Sequence, residues 1–418
     1  MTTSTQGVTV KSGAGQPSGG PGGIVDFLRR RWLLLVVLVL AAFLPLIDGD
    51  QTQQKVLVDA GVFVLMALGL NIVVGYAGLL DLGYVAFFTL GAYAYAIANF
   101  GNIIVVNGQS LGYLTPGAKS PPGAVSIHLA VWPMLLGGLL LAAVFGVLLG
   151  APTLRLRGDY LAIVTLGFGE IVPIIFHNNP ALGGAFGYTG LDLPAALGPI
   201  EFTFLDQMPF YYFVLGLIAI AVLIVLSIRN SRFGRAWIAI REDETAAAAS
   251  GVNLVRTKLL AFGMGAALGG VAGVFYASHL TTVTYDQFDF SISVYVLVMV
   301  VLGGMGSVPG VIAGALVVYF VNSYVLGFLN VYVHGLSIVT TPGAPLAFLS
   351  GVDLTQIRNA LYGLVLILMM ILRPEGFIPE ARRKRELHSV AAESEEGGVQ
   401  ALDAPPGIAG NDPKGSLE

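Results

Sequence analysis

The chain has 418 residues, 55% hydrophobic and 11% charged, with a net charge of −4 and a mean hydropathy of +0.79. A soluble domain carries about 25% charged residues, so this composition excludes one and indicates a polytopic membrane protein. Cysteine is absent, and His128, His177, His279, His334 and His388 are scattered; disulfides, cysteine nucleophiles and a thiolate or histidine-cluster metal site are excluded.

The first 24 residues are rich in Ser, Thr, Gly and Gln, and residues 1–28 read as a disordered cytoplasmic tail. The apolar run at 33–44 starts late and ends in Pro45-Leu46-Ile47, which fits a retained first span better than a cleaved signal peptide. About 20 apolar residues cross a bilayer. Spans are predicted at 32–47, 55–75, 79–98, 129–151, 159–177, 210–228, 257–280, 291–304, 308–329 and 357–373. The third begins beside Asp81, and the eighth is short and runs into Gly303-Gly304-Met305-Gly306. The expected fold class is therefore all-α, a transmembrane helical bundle of about ten spans.

Charge orients it. With a cytoplasmic N-terminus, only Lys55, Lys119 and Arg358 of the 21 Lys and Arg fall outside, so the positive-inside rule favours an even count with both termini cytoplasmic. The outer loops at 99–128, 178–209 and 330–356 are rich in Gly, Pro and Asn and are expected to fold over the extracytoplasmic mouth, where another protein docks. Residues 381–418 read as a largely disordered cytoplasmic tail, with Arg382, Arg383, Lys384 and Arg385 as an anchor at anionic lipid; nucleic acid is not an expected partner.

One strongly charged segment interrupts the hydrophobic body. Residues 229–258 carry Arg229, Arg232, Arg235, Arg241, Arg256, Lys258, Glu242, Asp243 and Glu244 between two apolar runs. Such a set cannot cross a bilayer cheaply, so the segment lies in water. Its Ala-rich stretch 246–250 predicts a short helix, with Asp243 as N-cap and Gly251 as stop. A solvated connecting loop and a docking helix both fit this composition.

Nucleotide chemistry is missing. A P-loop needs G-x-x-x-x-G-K-[S/T], but only Lys11 and Lys119 precede Ser or Thr, and Val10 and Ala118 stand in front of them. No cofactor or catalytic residue is expected, and any ATP must be hydrolysed by partner subunits. Asp81 and Asp159 lie near span ends; Glu170 lies deeper, either facing a solute path or hydrogen-bonded in packing. Gly75, Gly78, Gly83, Gly303, Gly304 and Gly306 break apolar runs, either as tight turns between packed spans or as broken helices lining a path.

Several stretches in order resemble the permease subunits of bacterial branched-chain amino acid ABC transporters, the LivM-like type. They are Asn71-Ile-Val-Val-Gly75-Tyr76-Ala-Gly78-Leu-Leu-Asp81, Leu154-Arg155-Leu156-Arg157-Gly158-Asp159-Tyr160, Thr165-Leu166-Gly167-Phe168-Gly169-Glu170, Ser231-Arg232-Phe233-Gly234-Arg235, Val301-Leu302-Gly303-Gly304-Met305-Gly306 and Arg373-Pro374-Glu375-Gly376. The resemblance spans roughly residues 30–380. It implies an importer subunit in a bacterial inner membrane, not an enzyme, that pairs with a second permease, two cytoplasmic ATP-binding subunits and an extracytoplasmic solute-binding protein. The implied cargo is a branched-chain amino acid, with urea, amides or other small solutes as the alternative. A stand-alone secondary carrier is the reading from another class. Ala246, Ala247 and Gly251 match the importer coupling motif, and Thr245 stands where the wider pattern often has Glu. The implied coupling set is Gly234, Arg235, Arg241, Glu242, Asp243, Glu244, Ala246, Ala247 and Gly251. The candidate path set is Asn71, Gly75, Gly78, Thr165, Glu170, Gly303 and Gly304.

Overall fold

The computed structural model describes residues 50–99, 129–153, 159–196 and 201–326, the backbone of three strands between 103 and 127, and isolated positions at 45 and from 360 to 378. The expectations for residues 1–28, the first span at 32–47, Arg155, Arg157, the loop at 330–356 and the tail 381–418 lie outside the described residues.

Helix α1 (Gln51–Leu70) starts at Asp50, whose carboxylate accepts from the Thr52 amide at 3.1 Å. It runs on into a π-helical turn at Asn71–Tyr76. The chain then leaves helical geometry and resumes as α2 (Val85–Asn99). Strands β1 (Ile103–Val106), β2 (Gln109–Tyr113) and β3 (Val125–Ile127) form an antiparallel sheet in the order β2-β1-β3. Helices α3 (Val131–Thr153) and α4 (Asp159–Asn178) follow, then two 3₁₀ turns and β4 (Tyr188–Thr189). Next come α5 (Met208–Arg229), two short helices α6 (Arg232–Glu242) and α7 (Glu244–Ala249), and α8 (Leu254–Leu280). Strand β5 (Thr282–Val283) pairs antiparallel with β4. A hairpin of α9 (Phe290–Gly303) and α10 (Val308–Phe320) is extended by a second π-helical turn at Val321–Leu326.

Six helical stretches are long and apolar enough to span a membrane: Gln51–Tyr76, Val131–Thr153, Tyr160–Asn178, Met208–Arg229, Leu254–Leu280 and Tyr285–Gly303, with Val85–Asn99 and Val308–Tyr324 shorter. These fall on the second to ninth expected spans. The fold is predominantly helical as expected, with two small sheets in connections between the helices. The third span also differs. Its helix begins at Val85, since Gly78 takes φ +70° and Asp81 accepts from the Gly83 amide at 2.9 Å, which closes a turn in place of a helix.

Helix α8 is the centre of the bundle, packed against α1, α2 and α3. Small residues let the backbones approach: a Cβ on Gly270 would meet the Ala142 methyl at 2.5 Å, and one on Gly146 would meet the Ala266 methyl at 2.6 Å. Hydrophobic sequestration cannot hold helices together inside lipid, so close backbone packing of this kind carries the association. The chain after α4 is tied down as far as Ala195. Tyr95 donates to the Asp192 carbonyl at 2.6 Å, Asn99 accepts from the Asp192 amide at 2.7 Å, and Trp132 donates to the Ala195 carbonyl at 3.2 Å.

Candidate functional site

The charged segment folds as two capped helices joined at Asp243. Ser231 caps α6, accepting from the amides of Phe233 (3.2 Å) and Gly234 (3.5 Å), and Asp243 caps α7, accepting from Thr245 (2.7 Å) and Ala246 (3.0 Å). Each such cap stabilises its helix by about 1 kcal/mol. Gly251, at φ +85°, ends α7 in the left-handed conformation that glycine adopts without a Cβ penalty. The structure thus places Asp243 and Gly251 as the sequence predicts, with α6 as an additional helix ahead of α7.

Anchors then fix this element to the bundle. Gly234 sits so close to the last turn of α5 that a Cβ would overlap the Arg229 carbonyl. Trp237 is fully buried and donates to the Thr257 carbonyl at 2.7 Å. Arg235 donates to the Asn230 carbonyl at 2.9 Å. Arg241 donates through Nη1 to the carbonyl of Gly75, in the π-helical turn of α1. Lys258 meets Glu244 at 2.6 Å. Of the implied coupling set, Arg241 and Glu244 are both engaged inside this chain. Glu242 is exposed. Ala247 is only 4% exposed and faces the body, whereas Thr245, Ala246, Ala248, Ala249, Ser250 and Gly251 form an exposed, small-residue surface.

The sequence reading missed Trp237 and Lys258. Trp237 had a legible signal, since Gly234, Trp237 and Ile240–Arg241 recur at helical spacing on one face of α6. Lys258 had none, because its partner Glu244 meets it only once α7 folds back on α8.

The glycine-rich motifs meet beside the α6–α7 element. Asn71 is fully buried, and its side-chain oxygen accepts from the Gly306 amide at 2.8 Å. A Cβ on Gly75 would lie 2.7 Å from that amide nitrogen, and one on Gly78 would lie 2.7 Å from the Arg241 side chain. Gly304 (φ +114°) and Gly306 (φ +89°) turn the chain between α9 and α10. Gly376 adjoins Gly304, and the Phe377 and Ile378 amides donate to the Leu302 and Gly303 carbonyls at 2.9 and 3.1 Å. Asn71, Gly75, Gly303 and Gly304 are all buried in these turns.

The broken segment 77–84 continues to α4. Thr165 accepts from the Leu82 amide at 3.0 Å, and a Cβ on Gly83 would overlap the Thr165 carbonyl. Gly169 lies against Gly83. Asp81 is 1% exposed, with one oxygen taking the Gly83 amide and the other beside a cavity lined by Thr153, Thr165 and Phe168. Glu170 differs from all of these. It is exposed, and no hydrogen bond or ion pair holds it among the described residues.

The profile of the family described as "Branched-chain amino acid transport system / permease component" matches residues 54–372. The chain belongs to this family. It is 33% identical to the high-affinity branched-chain amino acid transport system permease protein LivM of Escherichia coli K12, over 88% of this chain and 80% of that one. Similarity to the probable LivM permease of Methanocaldococcus jannaschii is 26% identity over 78% of this chain and 93% of the relative. A shorter match, 36% over 22% of this chain and 30% of the relative, links it to the LivH permease of Salmonella typhimurium. No solved structure matches the chain.

Proposed function

We propose that this chain is a membrane-embedded permease subunit of an ATP-driven importer for branched-chain amino acids, in the inner membrane of a bacterium. The observation that carries the reading is the α6–α7 element: a water-exposed surface of small residues, rigidly joined to the bundle, in a chain of a permease family that has no phosphate-binding loop of its own. Small side chains let α7 enter a groove on a partner, and an anchored base passes the partner's movement into the helices. Two cytoplasmic ATP-binding subunits are the fitting occupants, one on this chain and one on a second permease. The likeness to both LivM and LivH supports a related but distinct chain as that second permease.

In this reading the chain crosses the membrane about ten times, with both termini and α6–α7 on the cytoplasmic side. A solute-binding protein delivers cargo to the outer loops, including the 178–209 connection tied across α2 and α3. Closure of the ATP-binding subunits moves α6–α7. The movement reaches the π-helical turn through the bond of Arg241 to Gly75, and α4 through the contacts of Gly83 with Thr165 and Gly169. Hinged elements of this kind convert nucleotide binding into alternating access.

The test is a bulky residue on the exposed side of α7. Ala248→Trp is expected to leave the chain inserted, to remove the ATP-binding subunits from the purified complex, and to lower uptake about tenfold or more. Ala247 is unsuitable for this test, because it faces the bundle. Transport by the purified chain alone in proteoliposomes, without ATP, would overturn the reading in favour of a stand-alone carrier.

A further inference from the structure

The exposed surfaces of the spanning helices are not alike. On α3 every exposed side chain is apolar, with Leu136 (64%), Leu140 (61%), Val144 (54%) and Leu148 (58%) following one another at helical spacing. On α4 the matching stripe is Tyr160, Ile163, Gly167, Glu170, Ile171 and Ile174. Gly167 has no atom within 4 Å of where its Cβ would stand, so none of the described residues covers the stripe at that height. Glu170 follows Asp159 by 11 residues, roughly 16 Å of helix rise. That is about the midplane of a hydrocarbon layer of ~30 Å. An ionised carboxylate facing lipid at that depth is strongly disfavoured. Among the described residues it has no basic partner to neutralise it, and its side chain is exposed.

We infer that the α4 stripe lines the solute pathway, facing across it toward the second permease, and that Glu170 is its midplane acid, which pairs transiently with the ammonium group of the passing amino acid. This inference rests on the importer reading and extends it. The neighbouring Ile163, Ile171 and Ile174 offer apolar contact of the kind a branched aliphatic side chain makes in passing. Glu170 also directly follows Gly169, the residue by which α4 rests on Gly83. The acid therefore stands on the one turn of α4 that is in contact with the broken segment above Arg241. A change in that segment alters the acid's exposure without a separate moving part.

The experiment uses the whole complex reconstituted in vesicles with its binding protein. The natural chain has no cysteine, so Glu170→Cys and Val144→Cys each introduce a single thiol into it. A charged, membrane-impermeant thiol reagent is expected to modify the Glu170→Cys chain at least about tenfold faster than the Val144→Cys chain, because only ionised thiols in water react well. In the uptake arm, Glu170→Gln is expected to lower import of leucine about tenfold while ATP hydrolysis continues, and Glu170→Asp to retain more than Gln, as loss of a hydrogen bond to a charged group predicts. Equal, slow labelling at both positions would overturn the inference, placing Glu170 in lipid or against the second permease. So would import at the unaltered rate by Glu170→Gln. The unaltered complex is the control for the importer reading itself: if it takes up no branched-chain amino acid, that reading fails, while the labelling comparison still decides whether α4 faces water.

Discussion

Helices α3 and α4 are consecutive, similar in length and both largely exposed among the described residues. Their inner faces separate them. Helix α3 lies along α8 through Gly138, Ala142, Gly146 and Gly150, a run of small residues at intervals of four that locks two backbones together along their length. Helix α4 touches the bundle mainly through α2 and the broken segment before it, by Thr165 and Gly169. One helix is fastened to the fixed centre, and the other to a segment that is itself bonded to the coupling element. The outer faces differ in the same sense: α3 presents only hydrocarbon, and α4 presents a carboxylate. The two helices are built from the same apolar alphabet and are distinguished by what each is attached to.

The sharpest way to break this comparison is to give α3 the feature that marks α4. Val144→Glu places a carboxylate on the lipid-facing stripe, at an expected cost of about 3 kcal/mol. The amount of correctly inserted chain, measured by membrane fractionation, is expected to fall about a hundredfold. A normal yield would mean that α3 also faces water or protein.

A smaller effect is expected where α4 is fastened. Gly83→Ala pushes a methyl group into the Thr165 carbonyl, and overpacking of this kind costs about 2 kcal/mol. Thermal unfolding of the purified complex is expected to shift downward, by more than for the same change at the open position Gly216, where nothing lies within 4 Å. Equal shifts at the two glycines would sink the idea that α4 is held at this contact.

Next is the link to the coupling element. Arg241→Ala removes the bond to the Gly75 carbonyl. Uptake is expected to drop about tenfold with the chain still inserted and the ATP-binding subunits still attached, so hydrolysis proceeds uncoupled. Preserved uptake would show that movement enters the bundle by another route. The smallest effect belongs to Lys258→Ala. Its partner Glu244 is 38% exposed, and pairs open to solvent contribute at most about 1 kcal/mol. Only a slight loss of thermal stability is expected, with little change in uptake; a large loss would reveal that the pair holds α7 in place.

The α6–α7 element was readable in advance because its physics is local. Charges at 229–258 cannot enter lipid, Asp243 caps the amides that follow it, and Gly251 takes the conformation that ends the helix. Interior glycines were legible as interruptions but not as partners: nothing near Gly303 in sequence tells that Gly310 and Gly376 press against it or its neighbour. The late start of α2 was hidden because 79–98 is apolar apart from Asp81 and has the length of one span, and the break depends on a turn closed by that residue. The pairing of β4 with β5 was hidden for a similar reason, since it joins Tyr188 to Val283 across four intervening helices.

Composition and the order of apolar and charged segments were enough to determine a membrane-spanning helical chain with one aqueous handle, because transfer of charge into hydrocarbon is costly wherever in the chain it occurs. Which side each helix shows to its neighbours depends on packing between residues far apart in sequence. Only the tertiary structure could decide that Arg241 holds Gly75, that Ala247 looks inward, and that Glu170 is exposed among the described residues.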